Sequence, residues 1–218
     1  MQLSTIITVA AFVTLNMALG TNALPATSAA TSSSNSKFVC DKAATWRDSR
    51  LSIRSLSTNA KTQYVNGFTD HNSRGRLAIA SAPSYTADWR FYTCKGPGVP
   101  TSSQSNGAGD LVYGRLYSNG TGLCASVDSF PATSERQVIW EKVCATDATK
   151  ATKQLFSYSP SNKELLFVGE LPANGSKGVY VIDTHVNNYI PDYPTTEIAV
   201  RHTDTYSGKH YILKRVPS

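Results

Sequence analysis

The densest collection of chemically capable side chains in this 218-residue chain runs from Asp183 to Tyr193, with His185, Asn187, Asn188, Tyr189 and Asp192 between them. A carboxylate accepts hydrogen bonds from hydroxyls, an amide both donates and accepts, and a tyrosine ring covers an apolar ligand face. These are the parts that a sugar site needs, which makes Asp183, Asn187, Tyr189 and Tyr193 the candidate ligand-binding residues. Covalent and metal chemistry find no comparable cluster. The four histidines, His71, His185, His202 and His210, have no metal-ligand spacing, and neither His-Glu-x-x-His nor Cys-x-x-Cys occurs. The chain has no Gly-x-Ser-x-Gly elbow and no phosphate-cradling glycine loop. The reading is a binding protein without cofactor or metal, not an enzyme.

The N-terminus says where such a protein would work. Residues 1–23 contain no Asp, Glu, Lys or Arg, carry the apolar run Ile6 to Val13, and end in Thr21-Asn22-Ala23, a small-x-small cleavage pattern. The run is shorter than the roughly 20 apolar residues of a membrane span, so a signal peptide and an extracellular destination are expected, without stable membrane insertion. Residues 24–37 are small and polar, with almost no apolar bulk to offset their ordering entropy, and read as a disordered Ser/Thr/Ala-rich leader. The folded part should span 38–218.

Cys40, Cys94, Cys124 and Cys144 make an even count in an exported chain, so two disulfides are expected, in any of three pairings. Asn119-Gly-Thr and Asn174-Gly-Ser are glycosylation sequons as well as turn signals, which marks the protein as a candidate glycoprotein. The net charge of +6 is dispersed rather than blocked. With no basic run interleaved with aromatics, a nucleic-acid partner is not expected.

Short runs rich in Val, Ile, Tyr, Phe and Leu alternate with clusters of Gly, Asn, Ser, Thr, Pro and Asp, and no long stretch keeps helical periodicity. That pattern predicts an all-β sandwich, barrel or other closed form. Three segments share one layout of strand, Asn/Gly turn and strand: Tyr64 to Ser81, Val112 to Val127, and Leu166 to Asp183. Their starts lie about 50 residues apart, and each is followed by another alternating strand. Three units of four strands each predict a β-trefoil of three ~50-residue repeats.

One segment carries a specific resemblance. Gly122-Leu123-Cys124, an apolar strand ending in Cys144, and then Gln154-Leu155-Phe156 resemble one repeat of the ricin-type β-trefoil lectins, with Phe156 in place of the Trp of Gln-x-Trp. The resemblance implies a Cys124–Cys144 bridge within the repeat, which leaves Cys40 for Cys94. It implies that the aromatic sits in a shared core while the Gln fixes a turn, and that the partners are glycans or glycoproteins. A ricin-type site uses an Asp two residues after the first cysteine, and here that place holds Ser126, with Asp128 displaced by two. The matching places in the other repeats are Ile79 and Ile182, the latter followed by Asp183. Tyr92 fits the family's ring position, and Trp140 is either a ring at the site or a core residue. The alternative function is a secreted inhibitor or effector that binds another secreted or surface protein through loops such as Lys95 to Gly109.

Overall fold

The computed structural model describes residues 37–56, 61–69, 75–82, 88–100, 111–128, 136–169, 179–187, 195–203 and 211–217. The expected signal peptide, the leader as far as Ser36, and Asn174, Tyr189 and Tyr193 lie outside the described residues. The first strands are β1 (Val39–Cys40), β2 (Trp46–Ser55), β3 (Gln63–Thr69), β4 (Gly75–Ala80), β5 (Trp89–Lys95), β6 (Val112–Ser118) and β7 (Cys124–Val127). They are followed by β8 (Arg136–Lys142), β9 (Phe156–Ser159), β10 (Glu164–Phe167), β11 (Val179–Asn187), β12 (Thr195–Thr203) and β13 (Tyr211–Pro217). The described residues are all-β, with thirteen strands in one antiparallel sheet and one short helix, α1 (Ala148–Ala151). No helix among them is long and apolar enough to cross a membrane.

Alternation places the strands. In β6, Gly114, Leu116 and Ser118 are buried while Tyr113, Arg115 and Tyr117 are partly exposed, as period-2 geometry requires of a strand with one face on a core. Six strands pair in a closed cycle: β2 with β5, β5 with β6, β6 with β9, β9 with β10, β10 with β13, and β13 back to β2. The remaining long strands form three antiparallel pairs, β3–β4, β7–β8 and β11–β12. Those pairs are joined to one another through β4, β8 and β12.

Both sets of strands feed one core. The cycle supplies Trp46, Leu51, Ile53, Phe91, Leu116, Phe156, Leu165 and Leu213, and the hairpins supply Val65, Leu77, Val127, Ile139, Ile182, Ile198 and Val200. Each such side chain contributes about 1.5–3 kcal/mol when taken from water, which no single hairpin could collect alone. The close approach of strands needs a glycine at one place. A Cβ on Gly114 would lie 2.0 Å from the Tyr92 carbonyl oxygen across the β5–β6 pair.

The disulfides are Cys40–Cys94 and Cys124–Cys144, the two pairs that the resemblance implied. The first joins β1 to β5 at directly opposed residues and sits in a small second core with Phe38 and Ala151. The second closes a 20-residue separation between β7 and the end of β8.

The three segments that look alike in sequence do not occupy equivalent places. Tyr64 to Ser81 forms the β3–β4 hairpin, whereas Val112 to Val127 forms β6–β7 and Leu166 to Asp183 runs from β10 into β11. The first segment is therefore one strand out of step with the other two, each of which runs from a strand of the cycle into a hairpin strand. A strand of the cycle and a strand of a hairpin show the same alternation, so periodicity cannot tell them apart. In β2 the alternation is also broken by a register shift between Trp46 and Ser49, where Asp48 adopts a φ of 45°.

Candidate functional site

Asp183, the acid expected to accept sugar hydroxyls, lies in β11 opposite Ala199 of β12 and is 6 % exposed. Its Oδ2 accepts from Arg136 Nε of β8 at 2.8 Å and lies 3.4 Å from Arg201 Nε of β12. Its Oδ1 accepts from the Thr184 backbone N–H at 2.8 Å. Arg136 and Arg201 face each other in the β8–β12 register, so the carboxylate separates two guanidinium groups that would otherwise repel. In this arrangement Asp183 ties three strands together. Asn187 ends the same strand about 13 Å further along, paired with Thr195. The structure thus locates two of the four candidate residues and does not bring them to one point.

Trp140, on β8, is neither core nor an open stacking platform. The Arg76 guanidinium carbon stands 4.4 Å from its ring centroid, and Lys142 Nζ stands 5.8 Å from it. Arg76 Nη1 also pairs with Glu197 Oε1 at 2.5 Å, and Lys142 pairs with Asp128. A cation over an indole face is favourable, and here the protein supplies that cation itself. Tyr92, the other ring position, packs edge-on against Tyr117 with centroids 5.8 Å apart.

Next to Trp140, Glu141 is buried against the β3–β4 hairpin, where a Cβ on Gly75 would lie 2.6 Å from its Oε2 and one on Gly67 3.0 Å from it. Burial pushes the Glu141 carboxyl above its ordinary range, against the lowering effect of hydrogen bonds from Ser118 and Thr121. The Thr121 Oγ1 donor, 3.2 Å away, belongs to the Asn119 sequon, which occupies the exposed turn between β6 and β7. Sequence reasoning missed Glu141. Its only signal was a pair of glycines, Gly67 and Gly75, at strand positions that favour larger residues.

Gln154 answers the question its motif raises. It is 3 % exposed, its Nε2 donates to the Val143 carbonyl at 2.9 Å, and its Oε1 accepts from the Ala145 N–H at 2.9 Å. The amide therefore holds the backbone on both sides of Cys144. Two residues on, Phe156 is fully buried and packs edge-on against Phe167 with centroids 5.5 Å apart.

Two surface depressions are lined by described residues. One, of about 460 Å³, is lined by Val99, Pro100, Leu111, Val112 and Tyr113 beside the Cys40–Cys94 bridge. The other, of about 470 Å³, is polar and lies between β4 and β12. No protein-family model matches the chain, and no curated protein matches it.

Proposed function

We propose that this chain is a secreted, lectin-like β-trefoil of ricin type that binds glycans or glycoproteins and does no catalysis. The observation that carries the reading is the closed cycle of six paired strands with three hairpins meeting through β4, β8 and β12. A six-stranded barrel capped by a hairpin triplet is the trefoil plan, with repeats beginning at β2, β6 and β10. The resemblance at Gln-x-aromatic is supported by the Gln154 bracket around Cys144 and by Phe156 in the common core. Export accounts for two disulfides in a chain of this size and for an exposed sequon turn at Asn119. Fold does not by itself determine a ligand, so the test is direct. A glycan array run with the mature protein should show binding to a defined set of structures, and no binding at millimolar glycan would refute the reading.

A second reading has its own observation. The apolar depression lined by Val99, Pro100, Leu111 and Val112, with Lys95 and Gly96 at its edge, is a suitable seat for an apolar side chain of a protein partner. Pull-down from the natural surroundings with Val112→Asp as the comparison tests it; equal recovery by wild type and variant would refute it.

A further inference from the structure

The proposed glycan-binding activity needs a site, and Asp183 does not provide one, since its oxygens are held by Arg136, Arg201 and Thr184. We propose that the site is the wedge between β4 and β12, and that it takes an uncharged saccharide. This inference rests on the lectin reading and adds to it the place and the ligand class.

The wedge follows from the topology. β4 and β12 pair at one position only, Glu197 with Ala78, and beyond it a depression of about 470 Å³ is lined by residues of β3, β4 and β12. That volume falls within the range of small-ligand sites. Its polar lining consists of the amides of Gln63 and Asn66 and the hydroxyls of Ser81, Thr195 and Thr196, with Ile79 as the largest apolar side chain. Amides and hydroxyls each donate and accept, which is the pattern that sugar hydroxyls require. The Asn66 amide is already oriented, since its Nδ2 donates to the Ala82 carbonyl at 3.2 Å.

The choice of ligand comes from charge. Among the described residues no Lys, Arg, Asp or Glu lines the wedge, so an ionic ligand would lose its hydration against these walls and gain no counter-charge from them. Glu197, in register with Ala78, is 1 % exposed and paired with Arg76, and Glu141, packed against Gly67, is buried as well. An apolar ligand would in turn match little of a lining built from five amide and hydroxyl side chains. A neutral polyol with a partly apolar face satisfies both the walls and the Ile79 floor.

The experiment titrates the mature full chain with methyl glycosides of galactose, glucose, mannose and N-acetylglucosamine, and with N-acetylneuraminic acid as the charged comparison. Backbone amide shifts are followed by NMR. The expected result is binding of at least one neutral glycoside, with shifts concentrated in residues 63–67, 78–81 and 195–196, and none with the acid. Gln63→Ala with Thr196→Val should lower affinity about tenfold, the equivalent of one or two lost hydrogen bonds. Ser81→Trp, filling the wedge, should abolish binding with an unchanged melting temperature. If a neutral glycoside binds but shifts other residues, or binds these variants as well as wild type, the wedge is wrong and the lectin reading stands. If no glycoside binds at tens of millimolar, the lectin reading fails and takes the wedge with it.

Discussion

Gln154 offers the sharpest test of why its motif exists. Gln154→Leu keeps the side chain's bulk and removes both of its hydrogen bonds, leaving the Val143 carbonyl and the Ala145 N–H to find other partners. Each bond contributes on the order of 1 kcal/mol net, and because both residues lie near the surface water can replace part of the loss. The expected cost is therefore about 1–2 kcal/mol, or a fall of about 2–8 °C in melting temperature for a domain of this size. The assay is thermal unfolding followed by circular dichroism under oxidising conditions. Loss of the bracket should also speed reduction of Cys124–Cys144 by dithiothreitol while leaving Cys40–Cys94 unaffected. Gln154→Glu adds a sign. Near neutral pH its carboxylate still accepts from Ala145 but faces the Val143 carbonyl with lone pairs, so the carboxyl is raised above its unfolded pKa. Stability is then present below the unfolded pKa and is lost as pH rises through the folded one. Acidification should narrow the gap to wild type. A Gln154→Leu variant within about 0.5 kcal/mol of wild type, or a Gln154→Glu gap that does not change with pH, would refute the reasoning.

Other outcomes follow from single features. Glu141 has a raised carboxyl, so the stability it contributes is present below its unfolded pKa and lost as pH rises through the folded one. Glu141→Gln should melt higher than wild type at pH 7 and show less stabilisation on acidification, both read from melts at a series of pH values. Gly114→Ala should destabilise by about 1–3 kcal/mol or more, because the 2.0 Å approach to the Tyr92 carbonyl is to backbone, which cannot rotate away. Urea unfolding would measure it, and a midpoint equal to wild type would contradict the strand spacing. Replacing Cys124 and Cys144 by serine should cost about 3 kcal/mol from the loop of 20 residues that the bridge closes. Chemical unfolding with an unchanged slope would attribute that loss to stability alone.

Features that need only neighbours along the chain are legible in the amino-acid order alone. Alternation within β6 or β12 announces a strand, turn residues end it, and an even cysteine count in a chain with a signal-like start announces bridges. The spacing of Cys124, Cys144, Gln154 and Phe156 was legible for the same reason, since all four belong to one continuous stretch. The sequence offers Asp183 as an acceptor for sugar hydroxyls, and nothing local to it shows that Arg136, 47 residues earlier, donates to its carboxylate. Arg76 and Glu197 meet across 121 residues, so nothing local shows that the face of Trp140 is covered. The first of the three similar segments stands one strand out of step with the others because a period of two reports which side of a strand is buried and says nothing about its partner strand. Gln63, Asn66 and Thr196 carry no local mark of a binding site in the sequence. Only the divergence of β4 from β12 after a single paired position placed them around one depression. Side-chain type is written residue by residue, whereas the company each side chain keeps is decided by long-range strand pairing, and that pairing forms only when the whole core closes.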